Sequence, residues 1–112
     1  MWIMMSDCFF SIVHKDCAED ELLVRARRPG DIERVFPEVF VMETPDNDYR
    51  YRAIVKRIEV CDAMSDAIYN ISYPNFKDSV YERDLHNAYM HVWNDMEQIQ
   101  PDGAYGRKRS LQ

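Results

Sequence analysis

Glycine is nearly missing from this chain, with 3 in 112 residues at Gly30, Gly103 and Gly106. A loop that cradles a phosphate with its backbone N–H groups needs several glycines close together, so glycine-rich nucleotide-binding loops cannot be built. No Gly-x-Ser-x-Gly elbow is present to expose a nucleophilic serine. Cysteine is scarce and odd in number, Cys8, Cys17 and Cys61, without a Cys-x-x-Cys pair. That argues against a disulfide framework and fits a reducing compartment. No stretch approaches the ~20 apolar residues of a membrane-spanning helix, and mean hydropathy is −0.51. The apolar start, Met1-Trp2-Ile3-Met4-Met5, has no preceding Lys or Arg, is interrupted by Asp7 and meets no small-residue cleavage site. It reads as structure and not as an export signal, and a cytoplasmic protein with no membrane partner is expected.

Positive charge is the last shortage. Fourteen Lys and Arg face 20 Asp and Glu, a net charge of −6. This is the wrong sign for affinity gained by neutralising phosphates, so no direct nucleic-acid partner is expected. Without the three positive charges and one negative charge of residues 102–112, the rest of the chain stands at −8.

What is present suffices for one core. The chain is 46% hydrophobic and 12% aromatic, the length and apolar content of a single two-layer domain. Residues 1–101 are expected to form it, with 102–112, which carries Arg107-Lys108-Arg109, a basic and frayed tail. Residues 2–5 and 8–14 are two β-prone runs separated by Ser6-Asp7, and 22–26 is a third before Pro29-Gly30. A short helix is predicted over 31–36, with the Asp31 side chain accepting its first backbone N–H groups and Pro37 stopping it. Residues 39–44 and 49–56 read as a hairpin around Pro45-Asp46-Asn47-Asp48. Alternation puts Tyr49, Tyr51, Ala53 and Val55 on its packed side and Arg50, Arg52, Ile54 and Lys56 on the other.

From there the period becomes helical. Ile58, Cys61, Met64 or Ser65, Ile68 and Ile71 make the apolar stripe of a helix over 57–71, with Glu59, Asp62 and Asp66 opposite. Pro74 ends it. A further helix over 79–100 carries Leu85, Ala88, Val92, Met96 and Ile99, widened by Tyr89 and Trp93. The expected class is α+β: a mainly antiparallel sheet of about five strands, a short helix, and two C-terminal helices packed on one face.

Several strings together carry a resemblance: Phe10-Ser11-Ile12-Val13, the run from Glu21-Leu22-Leu23-Val24 through Arg28-Pro29-Gly30-Asp31 to Pro37, Asp48-Tyr49-Arg50-Tyr51-Arg52-Ala53, Tyr73-Pro74-Asn75-Phe76, and Ala88-Tyr89-Met90-His91-Val92-Trp93. Over most of its length the chain resembles a family of small uncharacterised proteins of bacterial and phage genomes. The resemblance implies no activity, cofactor or catalytic residue. It implies a phage context, in which inhibitors of host defence are common.

Candidate chemistry is thin. His14, Cys17, Cys61, His86 and His91 come closest to a metal set, but His86 and His91 are five residues apart, about 140° around a helix. Asp62 and Asp66, one turn apart, are the nearest thing to a paired acid and base, and a solvated helix face accounts for them as well. Tyr49 and Tyr51 beside Arg50 and Arg52 resemble a base-stacking strand, although alternation assigns the rings to the packed side. No catalytic, cofactor-binding or metal-ligating residues are assigned, and no cofactor is expected.

The acids are the global feature that remains. Glu19, Asp20 and Glu21 in a loop and Glu59, Asp62 and Asp66 on a helix are the expected partner-binding residues. Their field would steer the molecule onto a basic site of a protein partner, such as a host defence nuclease or surveillance complex. The expected function is that of a non-enzymatic protein-binding module, an anti-CRISPR-like inhibitor using an acidic surface in place of nucleic acid. Two alternatives stand beside it: a homodimer or other homo-oligomer with a structural or regulatory role, and a small enzyme or metal-binding protein.

Overall fold

The computed structural model describes residues 1–101, and the expected basic tail lies outside them. Five strands form one antiparallel sheet: β1 (Trp2–Met4), β2 (Phe9–Val13), β3 (Glu21–Ala26), β4 (Met42–Glu43) and β5 (Tyr51–Lys56), in the order β1-β2-β3-β5-β4. Three α-helices accompany them: α1 (Asp31–Val35), α2 (Arg57–Tyr69) and α3 (Arg83–Glu97), with a 3-10 turn at Lys77–Ser79. The class is α+β, as the patterning predicts. No helix among the described residues is long and apolar enough to cross a membrane.

Period-two alternation assigns the sheet's two faces. Register aligns Phe10 with Ile3, Ile12 with Val24, and Val24 with Ala53. These residues, with Ala26 and Val55, bury themselves against Ile32 and Phe36 from the α1 segment and Val60 from α2. Gly30, at φ 88, makes the left-handed entry to α1 that a residue with a Cβ resists. β5 runs into α2 without a loop, so the helix begins pressed on the sheet that precedes it.

Four features differ from the sequence reading. The Asp31 side chain does not cap α1. It is buried and turned to the sheet, where Oδ2 accepts the Phe9 N–H at 3.2 Å and Oδ1 meets Arg28 at 3.3 Å. The packed side of α2 is Val60, Ala63 and Met64, while Ile58, Cys61 and Ile68 lie outward. Each set recurs at helical spacing, and the join to β5 fixes which one meets the sheet. Tyr49, expected beside Tyr51, instead packs on the Arg25 and Arg27 guanidinium groups of the opposite face, because β5 starts only at Tyr51.

The fourth concerns α3. It does not join α2 on one face but docks at the β1–β2 end against Phe9, which points away from the layer that holds Phe10. Glu82 starts it, accepting the Asp84 and Leu85 N–H groups at 3.0 and 2.9 Å. The helix is therefore shorter than the apolar stripe predicts. Leu85 and Tyr89 are buried with Val80, and the Tyr89 hydroxyl donates to the carbonyls of Met5 at 3.0 Å and Cys8 at 2.8 Å. Beyond Tyr89 the stripe of Val92, Met96 and Ile99 is exposed.

Burial, reinforced by the charges of Asp7 and Asp31, pushes the Cys8 thiol from an ordinary 9.0 to about 12. Burial also raises the Tyr89 hydroxyl. Both groups ionise more easily in the unfolded chain, so the folded state loses stability as pH climbs from about 9 toward 12. A thiol reagent at neutral pH is expected to modify exposed Cys61 quickly and Cys8 only at the rate of unfolding. Mass spectrometry of the labelled peptides checks this, and equal rates at the two thiols would contradict the packing.

Candidate functional site

The two acidic groups expected to act together have different fates. In the loop before β3, Lys56 reaches back to Asp20 at 3.1 Å and Glu21 at 3.9 Å, and its hydrogen bond and charge hold the Asp20 carboxyl below its usual range. Asp20 raises the Lys56 ammonium in return. Glu21 also accepts the Ala18 N–H at 3.0 Å, and Arg57 donates to the Glu19 carbonyl at 3.2 Å. Most of this loop's charge is spent locally, in fixing the β2–β3 connection to the start of α2.

Glu59, Asp62 and Asp66 are different. All three are exposed along one flank of α2 and, with Glu38, line a groove of about 640 Å³ between α2 and the α1–Val39 segment. No Lys, Arg or His nitrogen among the described residues lies within 4.0 Å of these four carboxylates. Arg34, the cation on the groove wall, is engaged by Asp7 at 3.7 Å. The groove therefore presents uncompensated negative charge.

Beside that flank lies the outward apolar arc of α2. Ile58 is 66% exposed, Ile68 69% and Tyr69 89%, and Ile71 continues the arc past the helix end. At 100° per residue, Ile58 and Tyr69 adjoin Asp62 on the helical circumference, so apolar and acidic residues form one continuous surface. Scattered apolar residues on a surface need no explanation, but a contiguous patch rimmed by charge marks an interaction site. The sequence shows both apolar stripes of α2. The one polar residue within the outward arc, Ser65, is too small a mark to outweigh its isoleucines.

The other candidates scatter. The His14 ring bonds the Ala18 carbonyl at 3.1 Å and the Cys17 thiol donates to the Glu21 carbonyl at 3.4 Å, both within their own loop. Among the described residues, no three His, Cys, Asp or Glu side chains stand together as metal ligands. His86 is half-buried and His91 exposed on α3. Phe76 stacks on Tyr89 with centroids 5.5 Å apart and holds Tyr73 at 5.7 Å, so these rings are the edge of a small core. No protein-family model, curated protein or solved structure matches the chain.

Proposed function

We propose that the protein is a non-enzymatic binding module that docks the outward half of α2 onto a basic surface of a protein partner. The observation that carries this is the placement of Ile58, Ile68 and Tyr69 in solvent beside unpaired Glu59, Asp62 and Asp66. Apolar area supplies affinity when buried, and the adjoining carboxylates select a cationic partner and speed encounter. A nucleic-acid site on a host defence nuclease or surveillance complex has that chemistry. The loop acids Asp20 and Glu21 contribute less, because Lys56 already neutralises them.

Affinity-tagged protein produced in a bacterial host with an active defence system tests the reading, with binding then measured against the purified complex. Combined Glu59→Lys, Asp62→Lys and Asp66→Lys is expected to weaken binding at least tenfold and to flatten its salt dependence. Ile68→Ala alone is expected to weaken binding without altering the salt slope, since it removes apolar area and no charge. Binding that ignores both changes would remove the proposal. A second reading, self-association through the exposed Val92, Met96 and Ile99 of α3, is distinguished in the same preparation by light scattering. A dimer mass that reverts on Met96→Lys would favour it.

A further inference from the structure

The sheet face turned away from α1 and α2 differs in chemistry from the rest of this acidic molecule. Register places Trp2, Ser11, Arg25 and Arg52 in one row across β1, β2, β3 and β5. Arg25 directly opposite Arg52 is a like-charge pair, which destabilises a sheet unless something compensates. Arg27 follows two positions along β3. Both Arg25 and Arg27 lie over the Tyr49 ring, their guanidinium carbons 4.6 and 4.2 Å from its centroid. Arg52 joins them by donating to the Tyr49 carbonyl at 3.2 Å.

Asp48 is engaged by Arg52 at 3.3 Å, and Asp31 and Asp84 line a cavity beneath α3 together with Arg27. Arg25 and Arg27 have no carboxylate within 4.0 Å among the described residues. Their hydrogen bonds go to neutral oxygens: Arg25 to the Ser11 hydroxyl at 2.7 Å and Arg27 to the Asp48 carbonyl at 3.0 Å. The Arg25 Nε is buried with no partner. A guanidinium stacked on a ring uses its flat face there, which leaves the in-plane N–H donors not already bonded to Ser11 or Asp48 for another acceptor. With both guanidinium carbons within 4.6 Å of one ring centroid, the two groups share one small region of this face.

We propose that Arg25 and Arg27, held by Tyr49, form a binding site for a phosphate group on the sheet face that α3 covers only at its β1–β2 end. A phosphate carries close to two negative charges and three acceptor oxygens, matching two uncompensated guanidinium groups. A carboxylate brings half the charge and fewer acceptors. Trp2, 75% exposed in the same row, offers a ring to the organic part of a phosphate ester. The site lies on the opposite side of the sheet from the acidic flank of α2, and it stands or falls separately from the docking role of that helix.

Side-chain Nε–Hε resonances of the 15N-labelled full-length chain, followed at constant ionic strength in sodium chloride, test the site. Inorganic phosphate is expected to shift Arg25 and Arg27 saturably, where added chloride does not. Adenosine monophosphate binding more tightly than inorganic phosphate would identify the ligand as an ester, and equal affinity would identify the free ion. Arg27→Gln, at an exposed position that leaves the core intact, is expected to weaken either by about tenfold. Arg83→Gln, on α3, is expected to change nothing. No saturable shift, or unaltered binding by Arg27→Gln, overturns the proposal.

Discussion

Val60→Asp is expected to leave the chain largely unfolded, whereas Ile68→Asp, on the same helix, is expected to change the unfolding free energy by no more than about 0.5 kcal/mol. Val60 is 5% exposed and packs into the cluster of Phe10, Ile12, Val24, Ala53 and Val55 that joins α2 to the sheet. A carboxylate there has no cation or donor to meet. Its burial, together with the lost packing, is expected to cost about 4 kcal/mol or more. A domain of this size has about 5–15 kcal/mol of stability in total, so the folded fraction collapses. Ile68 extends into solvent, and a charge in its place has water to hydrate it. Urea unfolding followed by circular dichroism checks both variants. The opposite ranking would mean that α2 is rotated by about half a turn and that the docking surface proposed above is the core.

Asp31→Ala is expected to lower stability by about 2–3 kcal/mol. Asp31 is 2% exposed and joins three parts of the fold: it begins α1, accepts the N–H of Phe9 at the start of β2, and holds Arg28. Arg28 in turn reaches Glu82, the cap of α3, at 2.7 Å. Alanine leaves the Phe9 N–H without an acceptor and removes the better buried of the two Arg28 carboxylates. Arg28 is partly solvated, which keeps the loss below that of a fully buried ion pair. Asp31→Asn retains an acceptor oxygen and is expected to lose about half as much. Chemical denaturation of both variants separates the hydrogen bond from the charge, and a loss below about 0.5 kcal/mol for alanine would show that the bridge is not structural.

The strands and the helix positions could be read from the residues because each depends on local pattern. β-prone runs cover 9–13 and 22–26, alternation marks 51–56, and Pro29-Gly30, Pro37 and Pro74 punctuate the chain regardless of tertiary context. The orientation of α2 could not be read the same way. Ile58 and Ile68 carry more apolar area than Val60 and Ala63, with Met64 available to either arrangement, so transfer free energy alone favours burying the wrong stripe. The sheet decides otherwise, since a helix that continues directly from β5 has its first turn fixed by that strand, which brings Val60 and not Ile58 onto the core. Asp31 was misassigned for a related reason. Its position before a helix fits a cap, and nothing local shows that Phe9, distant in sequence, needs an acceptor.

The candidate sites divide along the same line. All six expected acids are exposed or partly so, as charged residues of an amphipathic segment should be. Which of them stay uncompensated depends on where Lys56 and Arg34 reach, and that is fixed by packing. The convergence of Arg25 and Arg27 on Tyr49 joins a strand to the far end of a hairpin and leaves no trace in spacing. For this protein the sequence by itself determined the elements and an acidic α+β class, because backbone preference and hydrophobic period act over a few residues. Only the tertiary structure decided which helix face looks outward and which charges remain unpaired, because both follow from contacts between residues far apart in the chain.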